Sequence, residues 1–171
     1  MVRFIGGIVL ASIVLYLWGF IVWGLGPYGK MIWKQPKDSD TAREVLREQF
    51  PENGTYFVPV MTNSPEALEA ESTQGPVAFV HMLAVDGRPA FDTSIMLNGF
   101  AVNVVAIVFI ALLMYQVSSA LPTYISRVQF VAVAGLACAT MIDIGDIAWW
   151  QMDWAWMLYR AAYHVIAWIV T

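Results

Sequence analysis

Four ionisable side chains near the end of the chain have the types and spacing to do chemistry in an apolar setting. Asp143, Asp146, Arg160 and His164 lie in MIDIGDIAWWQMDWAWMLYRAAYH, which is largely apolar and rich in tryptophan and also contains Asp153. A lone charge facing lipid costs at least ~2.5–3.5 kcal/mol, so such groups turn inward and pair. We therefore expect an intramembrane polar cluster that acts as an ion pair or as a ligand contact.

The spacing of these residues predicts which of them meet. A short turn near Gln151 and Met152 would join two antiparallel helices. Asp143 and Arg160 each lie about eight residues from that turn, which is ~12 Å along a helix axis. They should therefore form a pair at one depth, with His164 lying deeper in the membrane.

Two interpretations of the cluster stay open. It could be a proton or ion relay, or the counter-ion of a bound ligand. It could instead be a structural ion pair that fixes two helices, or fixes this subunit to another. The residues favour the structural interpretation, because the other apolar segments offer only Ser12, Asn98 and Asn103 for a continuous polar path.

Composition places the chain in a membrane. Of its 171 residues, 59% are hydrophobic and only 13% are charged, about half the ~25% that is usual for soluble domains. The formal net charge is -4, and no basic run is present that could follow a phosphate backbone. We expect a lipid bilayer as the environment and no nucleic-acid partner.

Four apolar segments predict the architecture. Residues 4–25 form an uncharged run long enough to cross ~30 Å of hydrocarbon, and we interpret them as an uncleaved signal anchor. The other predicted transmembrane helices cover residues 95–117, 127–149 and 154–171, and residues 26–94 are polar. The predicted fold is an all-α membrane protein: four transmembrane helices, with a small α+β extramembrane domain inserted between helices 1 and 2.

Small residues indicate where helices approach closely. The pairs Gly7-x-x-x-Ala11 and Gly135-x-x-x-Ala139 have the spacing that allows close contact between membrane helices.

The polar segment should contain two helices and two strands. Thr41-Ala-Arg-Glu44 fits a capping box at a helix start, and Ser64-Pro65 should begin a short acidic helix that runs to Glu71. Asp38 and Asp40 precede the first of these helices, where acidic residues are ordinary stabilisers of the positive dipole end. Residues 55–58 and 77–80 are rich in strand-forming types and predict two short strands.

Three aromatic residues in these strands form a candidate docking surface. Tyr56, Phe57 and Phe79 lie beside strand edges, and an open edge can accept a strand from a partner. Other membrane-protein subunits are the expected partners.

The membrane orientation rests on conflicting signals. Lys30, Lys34 and Lys37 follow the first span, whereas Arg3 and Arg127 mark the face that carries the termini. Counted literally, the positive-inside rule slightly favours a cytoplasmic domain, but the inserted loop exceeds the length over which the rule is dependable. The signal anchor favours cytoplasmic termini and a periplasmic, extracytoplasmic domain.

The sequence predicts neither catalytic residues nor a cofactor or metal. His81 and His164 are the only histidines, and they belong to different parts of the chain, whereas a metal site needs several convergent ligands. No phosphate-binding glycine loop or catalytic Ser-His-Asp order is present.

Several short elements resemble a known group of proteins. They are Trp18-Gly19, Trp23-Gly24, Gly54-Thr-Tyr-Phe-Val-Pro59, Gly75-Pro-Val-Ala-Phe79, Arg127, Trp149-Trp150 and Ala167-Trp-Ile-Val170. Together they resemble a group of small, functionally uncharacterised bacterial inner-membrane proteins with four predicted transmembrane spans. The resemblance implies a bacterial inner membrane and an extracytoplasmic domain, and it supplies no catalytic residues.

Two functional hypotheses follow. The leading one is a non-catalytic accessory or assembly subunit of a larger bacterial inner-membrane complex. An energy-transducing complex is one candidate. The alternative is a small lipid- or quinone-binding or carrier membrane protein that uses the intramembrane Asp/Arg/His cluster.

Overall fold

A computed structural model describes residues 2–27, 31–60 and 64–171. The chain divides into two compact units: one contains Met1–Lys34 together with Thr93–Thr171, and the other contains Gln35–Asp92. Most described residues are helical, and one small sheet is present.

The described chain contains seven α-helices, two π segments and two strands. They are α1 (Val2–Gly19), a first π segment (Phe20–Leu25), α2 (Ser39–Gln49), β1 (Gly54–Val58), α3 (Pro65–Gln74), β2 (Ala78–Met82), α4 (Thr93–Val117), α5 (Tyr124–Ala139), a second π segment (Thr140–Ile144), α6 (Gly145–Trp150) and α7 (Trp154–Val170).

Three continuous helical stretches of the described chain have the length and apolar composition to cross a membrane. They are Phe4–Leu25, Thr93–Val117 and Tyr124–Trp150. The third begins three residues before the predicted start, because the Thr123 hydroxyl accepts from the Ser126 backbone and the Ser126 hydroxyl accepts in return from the Thr123 backbone. Helix α7, predicted as the fourth span, has 17 residues.

The helices of the first unit pack chiefly as neighbours in a row. Helix α1 contacts α4 and α7, and α7 also contacts α5. Leu15, Ile107 and Ala167 are the buried centre of this packing, one residue from each of α1, α4 and α7. Helix α1 therefore joins α4 to α7.

Helices α5 and α7 form a closely packed antiparallel hairpin. Gly135 and Ala139 are both buried on α5, and a Cβ atom added to Gly135 would lie 2.8 Å from Cβ and Cγ of Trp168. In the other small-residue pair, Ala11 packs against the cluster of Leu15, Ile107 and Ala167, but Gly7 makes no comparable close contact. A Cβ atom added to Gly7 would meet nothing within 4 Å.

The turn before α7 is held by hydrogen bonds and one ion pair. Gln151 has the left-handed conformation (φ 53°). The Asp153 carboxylate accepts from the backbone N–H groups of Ala155 and Trp156, and it pairs with Lys34 Nζ at 3.0 Å. The hydrogen bond from Trp156, and then that from Lys34, lower the pKa of Asp153. Asp153 is thus an N-cap that stays ionised.

Aromatic rings connect the end of α1 with α7. Trp23 lies between Trp156 and Tyr163, with ring centroids 5.5 Å and 5.0 Å away. The chain of contacts extends to Trp33 beyond Trp156 (5.6 Å) and to His164 beyond Tyr163 (5.2 Å). In contrast, Trp149, Trp150 and Trp154 are exposed, as expected of an aromatic belt at a membrane interface.

The second unit contains α2, α3 and an antiparallel pair of strands. β1 pairs with β2 so that Thr55 lies opposite His81 and Phe57 opposite Phe79. Ser64 caps α3 through the Ala67 N–H, and Pro65 occupies the first turn, as the sequence indicates. The helix continues three residues past the predicted Glu71 to Gln74.

The predicted capping box at Thr41 and Glu44 is wrong. Helix α2 begins at Ser39, and its N-cap is Asp38, whose carboxylate accepts from the N–H groups of Asp40 and Thr41. Aspartate is at least as good an N-cap as threonine, so the helix starts earlier and places Thr41 in its first turn. The same backbone hydrogen bonds, Asp40 first, lower the pKa of Asp38.

The close contact at Gly135 generates a stability prediction. Gly135→Ala should destabilise the hairpin by about 1–3 kcal/mol, because overpacking forces side chains or backbone to shift. Gly99→Ala is the matched control on α4, where an added Cβ has no neighbour within 4 Å. Thermal unfolding of both variants in detergent measures the difference, and equal midpoints would contradict this packing.

Candidate functional site

A completely buried carboxylate lies at the centre of the candidate site. The Asp143 side chain has 0% exposure, and it contacts two residues of α7. Its Oδ2 atom lies 2.7 Å from Nδ1 of His164, and its Oδ1 atom lies 3.2 Å from Nη2 of Arg160. The structure thus brings together the predicted Asp143–Arg160 pair and adds His164 to it.

The local backbone explains how one carboxylate reaches both partners. Arg160 and His164 are four residues apart on α7, so they lie one above the other on one face. Asp143 belongs to the second π segment, where each hydrogen bond spans one residue more than in an α-helix, and this changes the direction in which side chains point. Single π-helical turns of this kind are frequent at functional sites.

The contacts of Asp143 differ in kind. The short separation of Oδ2 from the imidazole nitrogen is a hydrogen bond. The Oδ1 atom is close to the guanidinium but not aligned for a hydrogen bond, so this contact is Coulombic. Such a contact remains strong in an apolar interior, where the effective dielectric constant is low.

Asp146 belongs to the outer part of the cluster. Its Oδ2 atom is 3.7 Å from Nη1 of Arg160, and its side chain is 31% exposed. The same Nη1 lies 3.5 Å from the sulfur of Met157, a residue with no exposed surface. Arg160 therefore spans from the buried Asp143 to the more accessible Asp146.

A cavity of about 460 Å³ opens beside His164. Helix α1 contributes one residue, and α4 and α7 provide the facing walls. The lining residues are Leu15, Asn103, Ala106, Phe109, Ile110, Leu113, Tyr163, His164, Ala167, Trp168 and Thr171. The walls are mostly apolar and aromatic, with polar groups from Asn103, Tyr163, His164 and Thr171.

The polar group on the first span does not extend the cluster. Ser12 is buried, and its hydroxyl donates to the carbonyl of Ile8 one turn earlier in the same helix, at 2.8 Å. This hydrogen bond occupies the hydroxyl proton, so Ser12 provides no proton route from α1 to the cluster.

Sequence reasoning identified the charged residues but not the cavity beside them. Tyr163 and Phe109 line it, yet each resembles an ordinary lipid-facing aromatic residue in the sequence. Asn103 gave the one available signal, a polar side chain within an apolar span.

The predicted docking residues are divided between the two faces of the sheet. Phe57 and Phe79 are directly opposite one another, with centroids 5.0 Å apart, and Phe79 is exposed. Tyr56 points to the other face, where its ring lies 5.0 Å from that of Phe50 and its hydroxyl donates to the Glu52 carbonyl.

His81 has a local partner in the second unit. Its Nδ1 atom lies 2.8 Å from the Thr55 hydroxyl across the strand pair. Within the described ranges, no three of the His, Cys, Asp and Glu residues converge as ligands for a metal ion.

The chain matches no protein-family model, and neither the curated proteins nor the solved structures include one detectably similar to it. The resemblance to small bacterial inner-membrane proteins therefore stays a prediction. The function is argued below from the site itself.

The cluster predicts unequal effects of removing its members. Arg160→Gln should destabilise the fold by about 3–5 kcal/mol, because it leaves the buried Asp143 carboxylate without its cation. Asp146→Asn should cost only about 0–1 kcal/mol, since this carboxylate is partly exposed and more distant. Denaturant titration in mixed micelles measures both.

A second substitution tests whether the cause is charge. Asp143→Asn added to Arg160→Gln should recover part of the lost stability, since no buried charge is left unpaired. Equal losses for Arg160→Gln and Asp146→Asn, or no recovery in the double variant, would contradict the ion pair.

Proposed function

We propose that this protein is a multi-pass membrane protein that binds a small lipid-soluble molecule in the cavity beside His164. One observation carries the proposal: His164 lines an otherwise mostly apolar cavity while a buried carboxylate holds its other edge. The imidazole is therefore fixed in orientation and still 37% exposed.

The dimensions of the cavity support a ligand of moderate size. Its volume of about 460 Å³ lies within the ~300–1,000 Å³ of typical small-molecule sites. Such sites combine apolar and aromatic walls with a few polar groups that fix orientation. Phe109 and Trp168 provide flat walls here, and His164 and Asn103 are among the polar groups.

The hydrogen bonding of His164 supports a binding role beyond an ion pair. Its Nδ1 atom is engaged by Asp143, and its Nε2 atom has no hydrogen-bond partner among the described residues. A carboxylate that holds one ring nitrogen sets the tautomer and aims the other nitrogen. A purely structural pair between Asp143 and Arg160 would not need an imidazole at the cavity wall.

The proposal places the protein in a bacterial inner membrane with four spans and the polar domain, residues 26–94, outside the cytoplasm. Helix α7 would be the fourth span. Its charged residues support this assignment, because Arg160 and His164 turn toward α5 and the second π segment rather than outward. An intramembrane ionisable residue usually faces the interior in this way.

A second candidate function is that of a non-catalytic accessory or assembly subunit of a larger complex. The observation that favours it is the exposed face of the two-stranded sheet, where Phe57 and Phe79 form an aromatic pair. An aromatic pair at an open strand edge suits a protein partner. Ligand binding and subunit assembly are compatible in one protein.

Filling the cavity should abolish ligand binding. Ala106→Phe introduces a large ring at the cavity wall, whereas Ala101→Phe introduces the same ring at an exposed position of α4. Lipid-soluble molecules that co-purify in mild detergent are quantified by mass spectrometry after solvent extraction. We expect one compound in near-stoichiometric amount with wild type and Ala101→Phe, and its loss with Ala106→Phe. Equal retention of the compound by both variants would contradict the cavity proposal.

Disrupting the aromatic pair should weaken assembly if the subunit hypothesis holds. Phe79→Glu places a charge on the exposed face of the sheet, and Val45→Glu does the same at an exposed position of α2. Blue-native electrophoresis of solubilised membranes should show a smaller particle for Phe79→Glu alone. Particles of wild-type size from both variants would argue against docking through this face.

A further inference from the structure

We propose that a second cavity binds an anionic phospholipid, with the phosphodiester group on Arg127 and one acyl chain between α1 and α4. The proposal goes beyond the function argued above and shares with it only the placement in a membrane. Three observations carry it: a cation at the cavity wall without an anionic partner, the order of polar and apolar groups along the helices, and an open position at Gly7.

The second cavity has a volume of about 370 Å³ and is lined mainly by α1 and α4. This volume is at the lower end of the ~300–1,000 Å³ of small-molecule sites. It therefore suits one acyl chain of a lipid, and the other chain stays in the surrounding bilayer. The polar residues among its walls are Tyr115, Ser118, Arg127 and Thr171.

Arg127 is the cationic side chain among the described residues that line this cavity. Its Nε atom donates to the carbonyl of Leu121 at 3.0 Å, which holds the guanidinium beside the connection from α4 to α5. Within the described chain Arg127 forms no ion pair, and its terminal nitrogens make no hydrogen bond. Those nitrogens keep their N–H donors, in the fork geometry that matches a phosphate group.

The charges of the walls favour an anionic headgroup over a zwitterionic one. No Asp or Glu side chain is among the described residues that line the cavity. Thr171 also lines it, and the α-carboxyl group of Thr171, where it is free, forms no ion pair with Arg127 in the described chain. The walls thus offer a cation to a phosphodiester but no acidic side chain to an ammonium group. Basic pockets between membrane helices recognise anionic headgroups in this way.

Polar and apolar lining residues follow one another in the order of a phospholipid. Helix α4 ends at Val117 and α5 begins at Tyr124, so Ser118 and Arg127 lie close to helix ends. Ile107 lines the cavity eleven residues before Ser118, which is ~16 Å along the helix axis. The ends of a membrane-spanning helix lie near the headgroups and its middle lies in the hydrocarbon. Arg127 is therefore placed for a headgroup, and Ile107 for an acyl chain.

Gly7 leaves room for that chain on the side of α1. It lines the cavity, and a Cβ atom added to it would meet nothing within 4 Å. Phe4 and Tyr115 face each other at the end that carries Arg127, with ring centroids 6.4 Å apart, and both are exposed. A lipid can thus enter from the bilayer without separation of the helices. The small residue at position 7 serves a lipid chain here, since no other helix packs against it closely.

The test measures lipid binding by the full-length protein with native mass spectrometry. Delipidated protein in a mild nonionic detergent is titrated with dioleoylphosphatidylglycerol and, separately, with three comparison probes. They are dioleoylphosphatidylcholine, dioleoylglycerol, which has no phosphate, and glycerol 1-phosphate, which has no acyl chain. We expect dioleoylphosphatidylglycerol to bind at least about tenfold more tightly than each of them.

Variants of two arginines test the role of the cation. Arg127→Gln removes the charge at the cavity, and Arg47→Gln removes an exposed charge on α2. Loss of charge-assisted hydrogen bonds should weaken dioleoylphosphatidylglycerol binding about tenfold or more for Arg127→Gln, and Arg47→Gln should bind like wild type. Arg127→Lys also loses the hydrogen bond to Leu121 but keeps the charge. It should therefore retain part of the affinity, which separates the cation from that hydrogen bond.

Variants of two neighbouring glycines test the position of the chain. Gly7→Leu fills the cavity from α1, whereas Gly6→Leu introduces the same side chain outside it, where an added Cβ also meets nothing within 4 Å. Both replace glycine by a stronger helix former, so both should fold. We expect dioleoylphosphatidylglycerol to bind at least about fivefold more weakly to Gly7→Leu, and to bind Gly6→Leu like wild type.

The outcomes bear on separate parts of the proposal. Equal binding of dioleoylphosphatidylglycerol and dioleoylphosphatidylcholine, or equal affinities of Arg127→Gln and Arg47→Gln, would overturn the anionic headgroup. Tight binding of glycerol 1-phosphate or of dioleoylglycerol would overturn the phospholipid assignment. Equal binding by Gly7→Leu and Gly6→Leu would overturn the site between α1 and α4. None of these results touches the ligand proposed beside His164, because that proposal rests on His164 and Asp143.

Discussion

The interaction on which the helical unit depends is the neutralisation of one buried carboxylate. Asp143 has no exposed surface, and an uncompensated charge in such a place would be strongly destabilising. A guanidinium and an imidazole from a single face of α7 lie against this carboxylate and compensate its charge. The rotation of α7, its alignment with α5 and the direction of the His164 ring therefore follow from one electrostatic requirement.

This requirement also explains why the cavity and the ion pair occur together. An ordinary packing residue can be replaced by another of similar shape. A side chain that pairs with Asp143 must instead direct its polar edge toward that carboxylate. His164 satisfies the carboxylate through one nitrogen, and the remainder of its ring faces the space between α4 and α7. The same residue is thus structural on one edge and available for recognition on the other.

The sequence predicts most of the charged site but little of its surroundings. The symmetry of a helical hairpin was enough to place Asp143 beside Arg160, because equal distances from a turn mean equal depth. It did not place His164 on the same carboxylate, since the π-helical turn at Thr140–Ile144 has no reliable sequence signature.

The cavity depends on how α1 separates α4 from α7. The order in which helices lie side by side is not encoded in the apolar pattern of any one segment. The strands and α3 were predictable from local residue types, whereas the start of α2 was misplaced because two capping residues competed.

The length of α4 has a mechanical consequence. Helix α4 has 25 residues, which correspond to ~38 Å at 1.5 Å per residue. A hydrocarbon layer of ~30 Å is shorter than this, so α4 in a bilayer would tilt or extend beyond the layer. The tilt of α4 sets the position of one wall of the space beside His164. Bilayer thickness would in this way act on the width of that space through the angle of one helix.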